Sequence, residues 1–208
     1  MSAEPISVGC VTFLEEVKLP PGEDLMVGNE EATEVITYVR EGALSYRDSH
    51  GGAGLLSGGE WQRRVTRPGE RLVRTNASEK EDAHILRIGL NHSKVVLKPG
   101  AQQCLVGVSS RRGRLCPVAS PDGRQESLRI QHSALVFSTL LDAGQHVIHE
   151  LAPERTVWLQ LVAGQVSVAG YVLSAGDGLG MLGERSLSIT ALSSAEAVLV
   201  DVPQLVAE

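Results

Sequence analysis

Hydrophobic and polar residues alternate along this chain in short runs that are rich in β-branched side chains. Glycine, proline, aspartate or serine bounds most of these runs, while apolar positions at helical spacing are hard to find. The pattern predicts an all-β protein in which helix is confined to short turns. Ten segments show it most clearly and are predicted as strands: residues 8–13, 35–39, 43–47, 84–90, 128–130, 135–140, 157–162, 166–168, 187–191 and 198–202.

The two halves of the chain carry a similar pattern. Residues 37–45 precede a turn at 57–60, and residues 159–167 precede a turn at 174–177 at nearly the same offset. In each half a strand leads into a glycine turn, a returning strand, and a second turn that combines a small residue, glycine and an acidic residue. Two copies of one β unit explain this repeat, and the order of turns suits a small jelly-roll barrel.

The boundary between the two copies is expected where turn-forming and basic residues collect. Residues 98–100 and 109–114 have this composition and resemble linker material. The predicted organisation has three parts: a first barrel in residues 1–95, a linker in 96–114 and a second barrel in 115–208.

Composition places the chain among ordinary globular proteins, with 42% hydrophobic and 21% charged residues. Apolar runs are far too short for a membrane helix and the first residues lack a signal-peptide pattern, so we expect a cytoplasmic protein without membrane contact. The net charge of −6 argues against a nucleic-acid-binding surface. Three cysteines without CxxC spacing predict neither a disulfide framework nor a zinc site.

Five arginines fall close together in the first half of the chain: Arg63, Arg64, Arg67, Arg71 and Arg74. A strip that contacts DNA is one interpretation of such a cluster. The acidic chain and the scarcity of nearby aromatic residues favour a solvated strand edge and loop instead.

Six segments, in this order, resemble stretches typical of the pirin family of the cupin superfamily, which includes bacterial quercetin 2,3-dioxygenase-like proteins. They are residues 34–42, 47–49, 119–124, 156–160, 174–178 and 198–202. The resemblance covers nearly the whole chain. It implies a bicupin, in which two jelly-roll β-barrels pack together and the family's metal lies in the N-terminal barrel only.

The resemblance also implies a metal site, with an HxH pair before the Glu-x-x-Thr-Tyr strand and an HxE pair two strands later. When the family motifs are aligned to this chain without gaps, the HxH positions fall on Gly28 and Glu30, and the HxE positions fall on Leu72 and Arg74. A shift of two residues places Arg74 and Asn76 at the HxE positions instead. Three imidazoles and a carboxylate are the ligands that this chemistry needs. We therefore predict no metal, no cofactor and no catalytic residue in this barrel.

Other side chains are weaker candidates for a site. His146 and His149 form the best remaining pair of imidazoles, but their spacing places them on opposite faces of a strand. Trp61 and Trp158 are predicted as core residues rather than as a platform that stacks on a planar ligand. No other metal or nucleophilic motif is expected from the spacing of the remaining residues.

These expectations favour a metal-free member of the family that acts as a binding or regulatory protein for an unknown small molecule or protein. A charge pair between Glu30 and Arg74 is the expected replacement for the metal. A quercetin 2,3-dioxygenase-type oxygenase with a non-standard metal site is the alternative. A structural subunit that works with an active paralogue is a third possibility, and nucleic acid is not expected as a partner.

Overall fold

The computed structural model describes the chain in three stretches, residues 8–28, 32–91 and 96–204. Strands dominate these stretches, and helix is limited to α1 (Val108–Arg111) and a 3-10 turn at Arg124–Glu126. The all-β prediction is therefore confirmed. None of the helices in the described stretches is long and apolar enough to cross a membrane.

The chain divides into two compact units between Leu105 and Val106. The described strands of the first unit are β1 (Val11–Leu19), β2 (Asp24–Gly28), β3 (Glu34–Glu41), β4 (Ala43–Asp48), β5 (Ala53–Ser57), β6 (Glu60–Val65), β7 (Arg71–Asn76), β8 (Ala83–Leu90) and β9 (Gly100–Leu105). They pair antiparallel in a five-stranded sheet, β1-β8-β3-β6-β9, and a four-stranded sheet, β2-β7-β4-β5.

Apolar side chains from both sheets of the first unit meet in one buried cluster. It contains Leu19, Val39, Leu44, Leu56, Ala83 and Ile85. Two antiparallel sheets that bury a shared face match the small jelly-roll barrel predicted from the turns.

The second unit, to which residues 8–10 also belong, follows the same plan. Its described strands are β10 (Cys116–Ser120), β11 (Leu128–Arg129), β12 (Leu135–Leu141), β13 (His146–Glu150), β14 (Arg155–Ala163), β15 (Gln165–Val168), β16 (Tyr171–Ser174), β17 (Gly178–Leu182), β18 (Ser186–Ala191) and β19 (Ala195–Pro203). They form a six-stranded sheet, β11-β10-β12-β19-β14-β17, and a four-stranded sheet, β13-β18-β15-β16. Both sheets contribute to an extensive apolar core, which includes Leu159, Leu161, Val166, Ile189 and Leu199.

The internal repeat rests on a turn that both units share. Gly42 joins β3 to β4 with φ 82°, and Gly164 joins β14 to β15 with φ 79°. An added Cβ would lie 3.0 Å from the Ala83 Cα at the first turn and 2.1 Å from the Ser194 carbonyl oxygen at the second. Glycine is required at both places, because other residues rarely adopt this left-handed conformation and have no room here.

Regular structure continues through much of the segment predicted as a linker. β9 pairs with β6 in the first unit, and α1 follows three residues later. The division of the chain into residues 1–95, 96–114 and 115–208 stays a prediction.

Candidate functional site

The expectation that the arginine cluster forms a solvated strand edge and loop is wrong for three of its five members. β6 lies between β3 and β9, and β7 lies between β2 and β4, so both are inner strands of their sheets. Arg63, Arg64 and Arg74 are buried, whereas Arg67 and Arg71 are exposed. The sequence does not distinguish buried from exposed arginines here. An arginine interrupts the pattern of apolar residues along a strand whether it faces the interior or the solvent.

Two of the positions that the family resemblance assigns to metal ligands lie on the buried face of β7. Leu72 and Arg74 are 2% and 1% exposed, and the intervening Val73 is only partly buried. Asn76, which the shifted alignment names, is also buried, and its amide donates to the carbonyl oxygens of Leu19 and Glu81 at 2.8 Å. The Asn76 side-chain amide is therefore hydrogen-bonded to the backbone, while Leu72 and Arg74 face the interior of the first unit.

Of the other two positions, only Gly28 lies among the described residues. Gly28 lies opposite Arg71 in the pairing of β2 with β7. Because opposite residues of an antiparallel pair share a face of the sheet, Gly28 has the register position of the exposed Arg71 rather than that of Arg74. Glu30 lies outside the described residues, and so does its predicted charge pair with Arg74.

Arg74 is a buried cation with few partners. Its Nη2 donates to Gln62 Oε1 at 3.0 Å, while Nε and Nη1 have no hydrogen-bond acceptor among the described residues. Burial, and then the positive charges of Arg87 and Arg64, lower the pKa of Arg74 to about 9. The group stays protonated at neutral pH, so the interior of the first barrel holds a charge without a matching carboxylate in the described part of the chain.

Arg64, on β6, is compensated where Arg74 is not. Its Nη2 donates to Asp48 and, at 2.6 Å, to Glu70 Oε1. Asp48 also accepts from the backbone N–H groups of His50 and Gly52, and Glu70 accepts from that of Arg67. Burial alone would raise the pKa values of both carboxyl groups, but these hydrogen bonds outweigh it and lower both.

Arg87, on β8, is compensated from one side only. Its Nη1 donates to Glu15, and its guanidinium lies 5.4 Å from the centre of the Phe13 ring. Its Nε has no acceptor in the described structure, and burial lowers its pKa. Thr37 on β3 lies opposite both Arg87 and Gln62 in the strand register, so these three side chains share one face of the first sheet.

A second group of polar residues adjoins Arg64 and was not singled out from the sequence. Potential ligand atoms of Asp48, His50 and Glu70 lie within 4.8 Å of one another. One oxygen of each carboxylate already accepts from Arg64. Asp48 and His50 lie two residues apart, but Glu70 follows only after β5 and β6, so spacing alone does not reveal the group.

The two histidines of β13 lie apart, as their spacing predicts. His146 is exposed, whereas His149 lies with its Nε2 2.8 Å from Asp201 of β19. Asp201 also accepts from Arg155, so the imidazole belongs to a buried polar network in the second barrel. Nothing in the described structure brings His146 to the same site.

The tryptophans differ in their surroundings. Trp61 is fully buried and stacks on Tyr38, with 4.2 Å between ring centres. Trp158 is partly buried and lies over Gly178 of β17, where an added Cβ would come within 2.2 Å of the indole. The prediction that Trp61 is a core residue is confirmed, and Trp158 packs against a strand that must stay free of side chains at that point.

Comparison with known proteins identifies the family to which the chain belongs. A family model described as the quercetinase C-terminal cupin domain matches residues 117–202, which lie in the second unit. The quercetin 2,3-dioxygenase of Escherichia coli strain K12 is 32% identical over 170 residues, which cover 82% of this chain and 72% of the relative. The chain therefore belongs to the pirin-like, quercetin 2,3-dioxygenase-like family of cupins.

Solved structures of one relative match both units. YhhW from Escherichia coli superposes with a TM-score of 0.87 at 27% identity, covering 97% of this chain and 85% of that chain. The same protein in complex with nickel(II) superposes with a TM-score of 0.82 at 27% identity, covering 95% and 84%. The bicupin fold that the sequence predicts is confirmed by these matches.

Proposed function

We propose that this chain is a pirin-family protein whose first barrel does not hold the family's metal, and that it acts as a binding or regulatory protein rather than as an enzyme. The observation that supports the proposal most directly is Arg74, a fully buried cation at a position that the resemblance assigns to a metal ligand. A partner or ligand remains to be identified, and either a small molecule or a protein fits the proposal.

Leu72 and Arg74, two of the residues at the family positions, do not fit a metal. Leu72 carries no ligand atom, and Arg74 has no lone pair to offer at neutral pH. A divalent ion placed about 5 Å from the Arg74 guanidinium would be repelled by about 7 kcal/mol at an effective dielectric constant of about 20. We therefore derive no oxygenase step from this barrel.

Metal content after native purification tests the proposal. Iron, nickel, copper, manganese, cobalt and zinc are measured per folded chain. Escherichia coli YhhW, whose structure has been solved with nickel(II), is the control for metal content, and the quercetin 2,3-dioxygenase of Escherichia coli strain K12 is the control for turnover. We expect far less than one metal per chain and no consumption of quercetin above background. One tightly bound transition metal per chain, or quercetin turnover at the rate of the control, would overturn the proposal.

An oxygenase with a non-standard metal site is the second candidate, because Asp48, His50 and Glu70 lie close enough to share an ion. Binding there would require Arg64 to leave the two carboxylates. If this candidate holds, His50→Ala removes the metal while His146→Ala, which changes an exposed histidine of the second barrel, keeps it. Equal metal content in both variants would exclude the group as a metal site.

A cytoplasmic location remains part of the proposal. Cys10, Cys104 and Cys116 form no disulfide in the described structure, which is the usual state of cysteines in a reducing compartment.

A further inference from the structure

Hydrogen-bond donors without acceptors are concentrated in the interior of the first barrel. They are buried atoms on four strands: Thr37 Oγ1 on β3, Gln62 Nε2 and Arg64 Nε on β6, Arg74 Nε and Nη1 on β7, and Arg87 Nε on β8. A buried N–H group without an acceptor destabilises a folded protein, and native structures leave few of them. Several in one place indicate that an acceptor belongs there.

The strand register brings these donors into one sector. Thr37 lies opposite Gln62 on one side and opposite Arg87 on the other. Gln62 receives the hydrogen bond from Arg74, which connects the two sheets, and Arg64 follows two residues after Gln62 on the same face. One small acceptor between the sheets therefore has donors on several sides.

The charges in this sector favour an acceptor with a single negative charge. Arg64 has two carboxylate partners and Arg87 has one, but Arg74 has none among the described residues. One anionic group would compensate Arg74. A dianion would add a second negative charge close to Asp48 and Glu70, which a buried site disfavours.

We propose that the first barrel binds a small organic carboxylate, a monoanion whose oxygen atoms accept hydrogen bonds from Arg74, Gln62 and Thr37. This inference rests on the proposed absence of a metal from the same barrel and names the class of ligand that occupies its place. Carboxylates fit because their two oxygens provide several lone pairs to donors that converge from different strands.

Thermal unfolding in the presence of defined anions tests the site. The purified chain is dialysed into a buffer whose only anion is a bulky sulfonate. Sodium formate, sodium acetate, sodium chloride or sodium phosphate is then added at constant ionic strength, so that screening is equal in all samples. Above the Kd we expect formate or acetate to raise the Tm by about 3–5 °C for each tenfold increase in concentration.

Variants separate the site from general salt effects. Arg74→Met is expected to abolish the response to carboxylates, and Arg71→Met, an exposed arginine on the same strand, is expected to keep it. Thr37→Val keeps the side-chain shape and removes one donor, so the carboxylate concentration needed for the same Tm shift should rise about tenfold. This variant also tests the site if Arg74→Met does not fold.

The outcomes are distinct. No response of the wild-type chain to any anion would overturn the inference and would leave water or the predicted partner Glu30 as the acceptor. A response to chloride or phosphate alone would overturn the carboxylate assignment, and an equal response of Arg74→Met would place the effect elsewhere. Metal analysis of the same sample tells the two proposals apart: bound metal defeats the proposed function, whereas a metal-free chain without an anion response defeats this inference only.

Discussion

The buried charged side chains of the two barrels differ in how fully their hydrogen-bonding groups are partnered. In the second barrel the carboxylate of Asp201 is held by Arg155 and lies 2.8 Å from His149, beside an apolar core. In the first barrel Arg74 is equally buried, yet two of its nitrogen atoms have no acceptor in the described structure. Because both barrels follow one plan of strands and turns, that plan does not itself require an arginine in the interior. The difference agrees with the proposed carboxylate ligand of Arg74.

Removing Arg64 should have the largest effect on stability. In Arg64→Met, the largely buried carboxylates of Asp48 and Glu70 lose their shared cation, and breaking a buried ion pair typically costs about 3–5 kcal/mol. Denaturant unfolding measures the loss, with Arg67→Met as an exposed control that should stay within about 0.5 kcal/mol of wild type. A loss of less than about 1 kcal/mol in Arg64→Met would show that the first barrel does not depend on this network.

Truncating an apolar residue of the second barrel should have the next largest effect. Leu159 is fully buried in the core, and Leu159→Ala is expected to lower the free energy of unfolding by about 3 kcal/mol, through lost burial and a residual cavity. Leu182→Ala is the control, because that side chain is 71% exposed. If the two leucines behave alike in denaturant unfolding, the second barrel is not the close-packed core described above.

Replacing Arg74 should change stability in the opposite direction. In buffer without small anions, Arg74→Met is expected to raise the free energy of unfolding by about 1 kcal/mol, because an apolar side chain of similar length replaces a buried cation without sufficient partners. Arg71→Met again serves as the matched control. A loss of stability of similar size, measured by denaturant unfolding, would mean that Arg74 supports the fold rather than a ligand.

Lowering the pH should reduce the free energy of unfolding of the first barrel, and this effect is expected to be the smallest of the four. The pKa values of Asp48 and Glu70 lie below their ordinary values of 3.8 and 4.5, so the stability that the charged forms supply is present above those values. This stability decreases once the pH falls below the ordinary pKa values, and it is lost when the pH has fallen through the lowered pKa values of the folded state. The free energy of unfolding, measured from pH 7 to about pH 3, should therefore fall less steeply in the double variant Asp48→Asn and Glu70→Gln than in wild type. Equal slopes would contradict the proposed role of these carboxylates.

Much of the fold follows from local sequence signals. Glycines such as Gly42 and Gly164 mark the repeated turn, because no other residue fits the left-handed conformation and the close backbone approach. β6 and β7 are absent from the predicted strands, because arginines interrupt the apolar alternation by which a strand is recognised. The strand predicted at residues 8–13 is displaced in the structure, since β1 begins at Val11 and extends to Leu19.

The candidate site is less accessible to sequence analysis. Leu72 and Arg74 can be singled out by resemblance, and their burial on one face of β7 agrees with an interior position. The partners of Arg64 and Arg74 cannot be predicted, because Asp48 meets Arg64 and Gln62 meets Arg74 only where the two sheets of the first unit pack on each other. This packing, which the tertiary fold determines, decides which of these polar groups meet.

The placement of the tryptophans gives each barrel an optical reporter of its own. The chain has two tryptophans, with Trp61 in the first unit and Trp158 in the second. Trp61 directly precedes Gln62 and stacks on Tyr38, so a change in the arginine-rich sector can alter its fluorescence through the strand that both residues share. Trp158 lies on β14, beside Gly178. Replacing either indole by phenylalanine would leave an emission signal that follows one barrel alone during unfolding or ligand addition.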